Sequence, residues 1–235
     1  MTNERPFFLV PRFAKISWLV HGFGTARWTE PDLAADPEFR GFRPIIMNQV
    51  HSDVIHRLES APRTKLAGDG LVTDVPGLLL VVRTADCLPV LLVDETRRLV
   101  GAVHCGWRGT LERILDRAVE TLQVHFGSRP SDLWAAFGPC IGPDCYEVGP
   151  EVREEFLAAG FSASLFRPAR GAAGKSLFDL GRANAEMLRA SGLRGGRILT
   201  FDACTHCAPG FLSYRRDRDK EGRMVNFIGI KPPPR

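Results

Sequence analysis

The chain has 235 residues, 44% of them hydrophobic and 25% charged, with a net charge of +4. That length suits one large domain or two small ones and is ample for a buried core, and the composition is that of a soluble globular protein, which excludes extensive disorder. The basic excess is spread along the chain and the most charged stretch, 215–223, mixes signs, so the one-sign stripe of a nucleic-acid surface is missing and a small anionic substrate suits the charge better.

Residues 1–13 show neither an apolar signal-peptide core nor a small-residue cleavage site. The longest apolar run, 77–82, stops at Arg83 and is too short to span a bilayer. The expectation is a cytoplasmic protein with reduced thiols and neither a membrane nor a nucleic-acid partner.

In chain order, residues 16–20 and 45–50 read as short strands. The Leu- and Val-rich runs 78–82, 90–93 and 99–103 read as buried strands, with Pro89 breaking the sequence between the first two. A helix is predicted over 111–126, because Leu111, Ile114, Leu115, Ala118, Val119 and Leu122 share one face. Thr110 is placed to cap it and Gly127 to end it. Pro150 opens a second helix through Phe156, and a third spans 180–190, stopped by Ser191 and Gly192. Strands return at 197–201 and 225–230. Residues 171–174, Gly-Ala-Ala-Gly, read as a flexible loop, and the Pro-rich end, 231–235, as an extended tail after a single catalytic domain at 1–230. Strands and helices mix without a βαβ rhythm, and neither GxGxxG nor GxxxxGK[ST] occurs, which argues against Rossmann and P-loop architectures.

Three segments carry potential chemistry: Asn-Gln-Val-His-Ser at 48–52, Thr-Ala-Asp-Cys-Leu-Pro at 84–89 and His-Cys-Gly-Trp-Arg-Gly at 104–109. Each puts a candidate ligand at or near the end of an apolar strand. One thiolate and two neutral imidazoles, from Cys87, His51 and His104, suit a borderline-soft dication and leave a fourth position open for chemistry. The long gaps between them form no local ligand signature, so spacing alone leaves open a buried cysteine and two surface histidines. Of the other cysteines, Cys204 and Cys207 form a CxxC without the βαβ context of a redox pair, and a structural zinc shared with Cys140 and Cys145 is a further reading.

The same segments, with Gly-Asp-Gly-Leu-Val-Thr at 68–73, Gly-Pro-Cys-Ile-Gly-Pro-Asp-Cys-Tyr-Glu-Val-Gly at 138–149, Asp-Ala-Cys-Thr at 202–205 and Phe-Leu-Ser-Tyr-Arg-Arg-Asp at 211–217, resemble the laccase-domain family. This family is also called polyphenol oxidase, or purine nucleoside phosphorylase of the YfiH type, and is unrelated to the multicopper oxidases. The matches run in the family's order and cover most of the chain. The resemblance implies an α+β fold, a layered α/β/β/α sandwich with mixed sheets in a single domain. It implies zinc on His51, Cys87 and His104, with copper the lesser alternative. It implies phosphorolysis of adenosine, inosine, guanosine and methylthioadenosine, together with adenosine deamination. A purine nucleoside and phosphate are then the partners, and a monomer is expected. Cys105, where the family usually has Ala, is a departure that puts a second thiol beside His104.

Asp69 and Asp86 are candidate acids for the leaving group, although Asp69 equally serves a Gly-Asp-Gly turn. Arg83, Arg108 and Arg215 are candidate phosphate forks, with Asn48 added from the first segment. Trp107 reads as core; Tyr146 and Phe211 are open between core and base stacking. Three other functions compete. One is a cysteine-type amide hydrolase acting on peptidoglycan precursors, with Cys87 as nucleophile and His104 as base. Another is a binding protein with a structural metal. The last is the copper-dependent phenol oxidase of the family's older name.

Overall fold

A computed structural model describes residues 5–169, 174–218 and 222–233; positions 171–173 of the expected flexible loop and 234–235 of the expected tail lie outside them. In chain order the elements are β1 (Phe7–Phe8), β2 (Leu19–Gly24), α1 (Glu30–Ala35), β3 (Arg43–Ile46), β4 (Ile55–Leu58), β5 (Gly70–Thr73), β6 (Leu78–Thr84), β7 (Leu88–Asp94) and β8 (Leu99–Cys105). There follow α2 (Trp107–Leu111), α3 (Ile114–Phe126), β9 (Trp134–Phe137), β10 (Glu147–Val148), α4 (Pro150–Ala158), β11 (Phe166–Pro168), β12 (Ser176–Phe178), α5 (Leu180–Ala190), β13 (Ile198–Thr200), α6 (Tyr214–Asp217) and β14 (Met224–Ile230).

Two mixed sheets stack face to face. One has the order β1-β2-β14-β6-β3, the other β13-β9-β7-β8-β5-β4, and a small third sheet runs β10-β12-β11. In the first, only β3 and β6 are parallel; in the second, the two outermost pairs are parallel and the inner three antiparallel. This is the expected layered α+β sandwich in a single domain.

Strand alternation explains the apolar runs. In β6, Leu78, Leu80 and Val82 face the inter-sheet core, where they join Leu71, Leu91, Val93, Val100 and Ala102 of the second sheet. Leu79 and Val81 face the other way, into an aromatic layer of Phe7, Trp28, Phe39 and Phe227 that also takes in Leu33 of α1. In β7 and β8 the opposite parity, Leu88, Val90, Leu92, Leu99, Val103 and Cys105, packs against Ile114, Leu115, Val119 and Leu122 of α3 and Leu180, Ala183, Met187 and Leu188 of α5. Cys105 is thus a core thiol on the face of β8 opposite His104, and burial pushes its pKa well up.

The interruption expected over 86–89 is larger than a bulge and falls just before Pro89, which itself lies inside β7 opposite His104. β6 ends at Thr84 and β7 begins at Leu88 in the other sheet, so residues 85–87 carry the chain across the sandwich. The predicted 111–126 helix is two helices. Arg113 sits in the left-handed region at φ 63°, so α3 starts at Ile114, and Thr110 ends up inside α2, hydrogen-bonded to Asn184 instead of capping. The apolar periodicity runs straight through this kink, which is why it is invisible in the pattern. The 45–50 strand ends at Ile46, and the first predicted strand begins only at Leu19.

Leu91 is completely buried between the sheets. Leu91→Ala is expected to lower unfolding free energy by about 2–5 kcal/mol, measured as a shift in the denaturant midpoint at constant slope.

Candidate metal centre and cleft

The three candidate ligands meet at one end of the inter-sheet layer. His104 has the parity of Val100 and Ala102, so it emerges at the end of β8 on the inter-sheet side, opposite Pro89 of β7. Cys87 lies on the crossing turn just before β7. His51 comes from the loop after β3 and holds a left-handed backbone at φ 62°, as does Asp86 at φ 89°; non-glycine residues in this region mark places where surrounding structure dictates the backbone. The donor atoms of His51, Cys87 and His104 all lie within 4.8 Å of one another, and the two imidazole rings are 5.0 Å apart between centroids. Gly106 makes the approach possible: a Cβ there would stand 3.0 Å from His51 Cδ2 and 3.2 Å from Cys87 Sγ.

Asp69 organises this cluster from behind. It is fully buried; Oδ1 bonds His104 Nδ1 at 2.8 Å, while Oδ2 accepts from the backbone N–H groups of Val50 and Ser52 and from Ser52 Oγ. One carboxylate therefore fixes a strand-borne ligand and the loop that carries the other histidine, and it leaves His104 Nε2 as the ligating nitrogen. Burial alone would raise the Asp69 pKa, but the bonds from His104 and Ser52 hold it down at about 2. It is a carboxylate at neutral pH, lies beneath the cleft instead of lining it, and has no proton to donate.

Burial works against the Cys87 thiolate, yet contact with His104 and His51 takes its pKa down to about 6. Burial likewise works against the His104 cation, and Cys87 and Asp69 bring its pKa up to about 9. A soft sulfur and two imidazoles, one backed by a carboxylate, fit a tetrahedral dication with an open position: ligand atoms on such an ion stand about 3.5 Å apart, inside the 4.8 Å that bounds the spacing found.

The cluster forms the floor of a cleft of about 720 Å³ lined also by Gln49, Asp86, Trp107, Tyr146, Tyr214 and four arginines, Arg83, Arg108, Arg215 and Arg223. Arg83 is held by Glu30 at 2.7 Å and by the Met47 carbonyl, with its Nε buried and unpartnered. Arg215 donates to the Glu147 carbonyl over the Tyr146 ring. The Arg108 guanidinium lies 4.3 Å over Trp107 and makes no hydrogen bond or ion pair among the described residues. Asp86 lines the wall with both oxygens engaged, by Thr205 Oγ1 and by the Arg215 backbone N–H, each at 2.6 Å; it tethers the 205–215 segment to the crossing turn.

Asn48 and Phe211 do not line the cleft. Asn48 makes a backbone bridge to Ala67, and Phe211 is buried near Phe8. Trp107, read as core, both packs on the core and lines the cleft. Sequence reasoning passed over Gln49, Tyr214 and Arg223. Gln49 had a signal, an amide beside a candidate ligand, and it bonds both backbone groups of Arg83, pinning the 47–50 loop to β6. Tyr214 had a signal too, its place inside the Phe-Leu-Ser-Tyr-Arg-Arg-Asp segment, whereas nothing in the sequence separated Arg223 from surface residues.

Two outcomes are expected. Asp69→Asn, which keeps shape but loses the carboxylate, should weaken metal binding by about 10–100-fold in competition with a chromophoric chelator. In chelator-treated protein, a lowered thiol pKa means thiolate is present above it and lost below it, so alkylation of Cys87 by iodoacetamide, followed by peptide mass spectrometry, should rise through about pH 6.

The chain is similar to known proteins along most of its length. Over 185 residues the chain is 41% identical to a purine nucleoside phosphorylase of Deinococcus radiodurans, covering 78% of this chain and 69% of that one. It is 39% identical over 163 residues to adenosine deaminase RL5 of an unknown prokaryotic organism, covering 69% and 61%. The crystal structure of the hypothetical protein YfiH of Bacillus licheniformis superposes with a TM-score of 0.88 at 29% identity, over 97% of this chain and 98% of that one. Residues 32–231 match the family described as multi-copper polyphenol oxidoreductase laccase, and the chain belongs to that family.

Proposed function

We propose that this chain is a zinc-dependent purine nucleoside phosphorylase acting on adenosine, inosine, guanosine and methylthioadenosine, with adenosine deaminase activity at the same site. The observation that carries the reading is the convergence of His51, Cys87 and His104 on the floor of an arginine-walled cleft. The names of the relatives from Deinococcus radiodurans and the unknown prokaryote support the two reactions.

His51, Cys87 and His104 hold the ion, which supplies Lewis acidity and local positive charge. With one thiolate and two neutral imidazoles the dication keeps a net +1, and the arginines above it add to a field that draws an anion. Arg108 is the phosphate residue of this proposal: its guanidinium is seated on Trp107 and uncommitted, whereas Arg83 and Arg215 already bond Glu30 and Glu147. Tyr146 and Tyr214 line the same cleft and offer aromatic surface to a base. Asp69 acts as a positioning residue behind His104, and Asp86 as the tether of the Arg215 segment. Phosphorolysis joins phosphate to the ribose C1′ as the purine departs; deamination replaces the 6-amino group with water's oxygen and releases ammonia.

A second reading rests on one alignment of groups. Cys87, His104 and Asp69 form a thiol–imidazole–carboxylate line with a lowered thiol pKa, which is competent for an amide hydrolase without metal. Chelation separates the two. Adenine release that requires phosphate, inosine formation that does not, and loss of both on chelation with recovery on adding zinc are the expected results. Activity on adenosine that survives complete metal removal overturns the zinc reading, and thiol-dependent amide cleavage by such protein favours the hydrolase. An intense thiolate-to-copper absorption in the isolated protein, with phenol oxidation, would favour copper. Arg108→Ala is expected to raise the phosphate KM by about 10–100-fold, the range of a lost charge-assisted bond, with a smaller effect on deamination, measured by steady-state kinetics of both reactions.

A further inference from the structure

A second group of sulfurs lies outside the cleft. Cys145 Sγ and Cys207 Sγ are 3.1 Å apart, and the donor atoms of Cys145, His206 and Cys207 all lie within 4.8 Å of one another. The Cys204 thiol contacts those of both Cys145 and Cys207. Backbone N–H groups converge on the Cys204 sulfur: Gly142 N donates at 3.1 Å, and those of His206 and Cys207 reach the same atom. N–H donors aimed at a sulfur stabilise a thiolate over a thiol, and a Cys-x-x-Cys turn that folds its own N–H groups onto its first sulfur is preshaped to present two thiolates to one ion. Cys140, weighed as a partner from the sequence, is not in the group: its thiol packs against the core under the helices, while its backbone pairs with Cys204.

We propose that Cys145, Cys204, Cys207 and His206 hold a second, structural zinc ion that clamps the 204–207 turn to the loop before β10. Three sulfurs and one imidazole fill a tetrahedron and leave no open position, the pattern of a structural site. Sulfurs sharing an ion at about 2.3 Å stand about 3.8 Å apart, so the Cys145–Cys207 pair needs only to relax outward slightly from 3.1 Å. Three thiolates on a dication leave a net charge of −1. Arg216 braces the same turn: its guanidinium, paired with Asp217, donates to the carbonyls of Thr205, His206 and Phe211. The clamp connects to the cleft on both sides. Cys145 precedes Tyr146, which lines the cleft, and Cys204 precedes Thr205, whose hydroxyl bonds Asp86.

The test is metal content by mass spectrometry of the full chain, purified under reducing conditions from zinc-supplemented cells. About two zinc ions per chain are expected for the unaltered protein, about one for Cys87→Ser/His104→Ala and about one for Cys145→Ser/Cys207→Ser. A variant that fails to fold is bypassed with cobalt: Cys87→Ser/His104→Ala loaded with cobalt(II) should show an intense thiolate-to-cobalt band and tetrahedral visible absorption, since only the three-thiolate site remains. A single zinc that disappears entirely in Cys87→Ser/His104→Ala, with no such cobalt spectrum, overturns the proposal. So does finding that reduced, unaltered protein takes up no second ion while Cys145 and Cys207 join as a disulfide in air.

Discussion

The Asp69 carboxylate is the interaction on which the cleft depends. Its four hydrogen bonds join the end of β8 to the loop after β3, so the two imidazoles are set by one anchor. The arrangement is sheltered because Asp69 precedes β5 at the same end of the sandwich, where the His104 N–H also bonds its backbone carbonyl at 2.7 Å. A buried carboxylate without partners would cost several kcal/mol; here each oxygen has a donor, and the cost of burial is offset by an orientation that water could not provide.

Around that anchor the fold supplies three independent supports. The inter-sheet core fixes β8 and hence His104, the crossing turn fixes Cys87, and Gln49 ties the His51 loop to the Arg83 backbone. On the opposite wall, Asp86 holds the Arg215 segment through Thr205 and the Arg215 amide. Two neighbouring carboxylates that looked alike in the sequence thus do different work, one organising ligands and the other a wall, and burial and bonding rather than residue type separate them.

Much of the frame was legible in the sequence. The apolar runs of β6, β7 and β8 announce strands covered on both faces, and α5 begins and ends where its periodicity and the Ser191-Gly192 stop place it. The kink at Arg113 was hidden because both halves keep their apolar residues toward one core. Short strands such as β4, β10 and β11 carry too few residues to show alternation. The candidate ligand set could be named from residue types at strand ends, but only the family resemblance favoured it over a buried cysteine and two surface histidines: His51, Cys87 and His104 are brought together by sheet stacking, which spacing does not encode. The Cys145–Cys207 contact was legible only as part of a four-cysteine reading; the 62-residue separation is closed by the backbone pairing of Cys140 with Cys204, which leaves the Cys140 thiol packed on the core.

The step from one sheet to the other at residues 85–87 has a bearing on assembly. Because that step bears Cys87 and must meet the end of β8, no early segment of the growing polypeptide gathers all three donors; they come together only once the sandwich has closed. Under the proposed zinc reading, an ion bound there would favour the closed form by mass action, and metal supply would set how much of this polypeptide persists in its working shape.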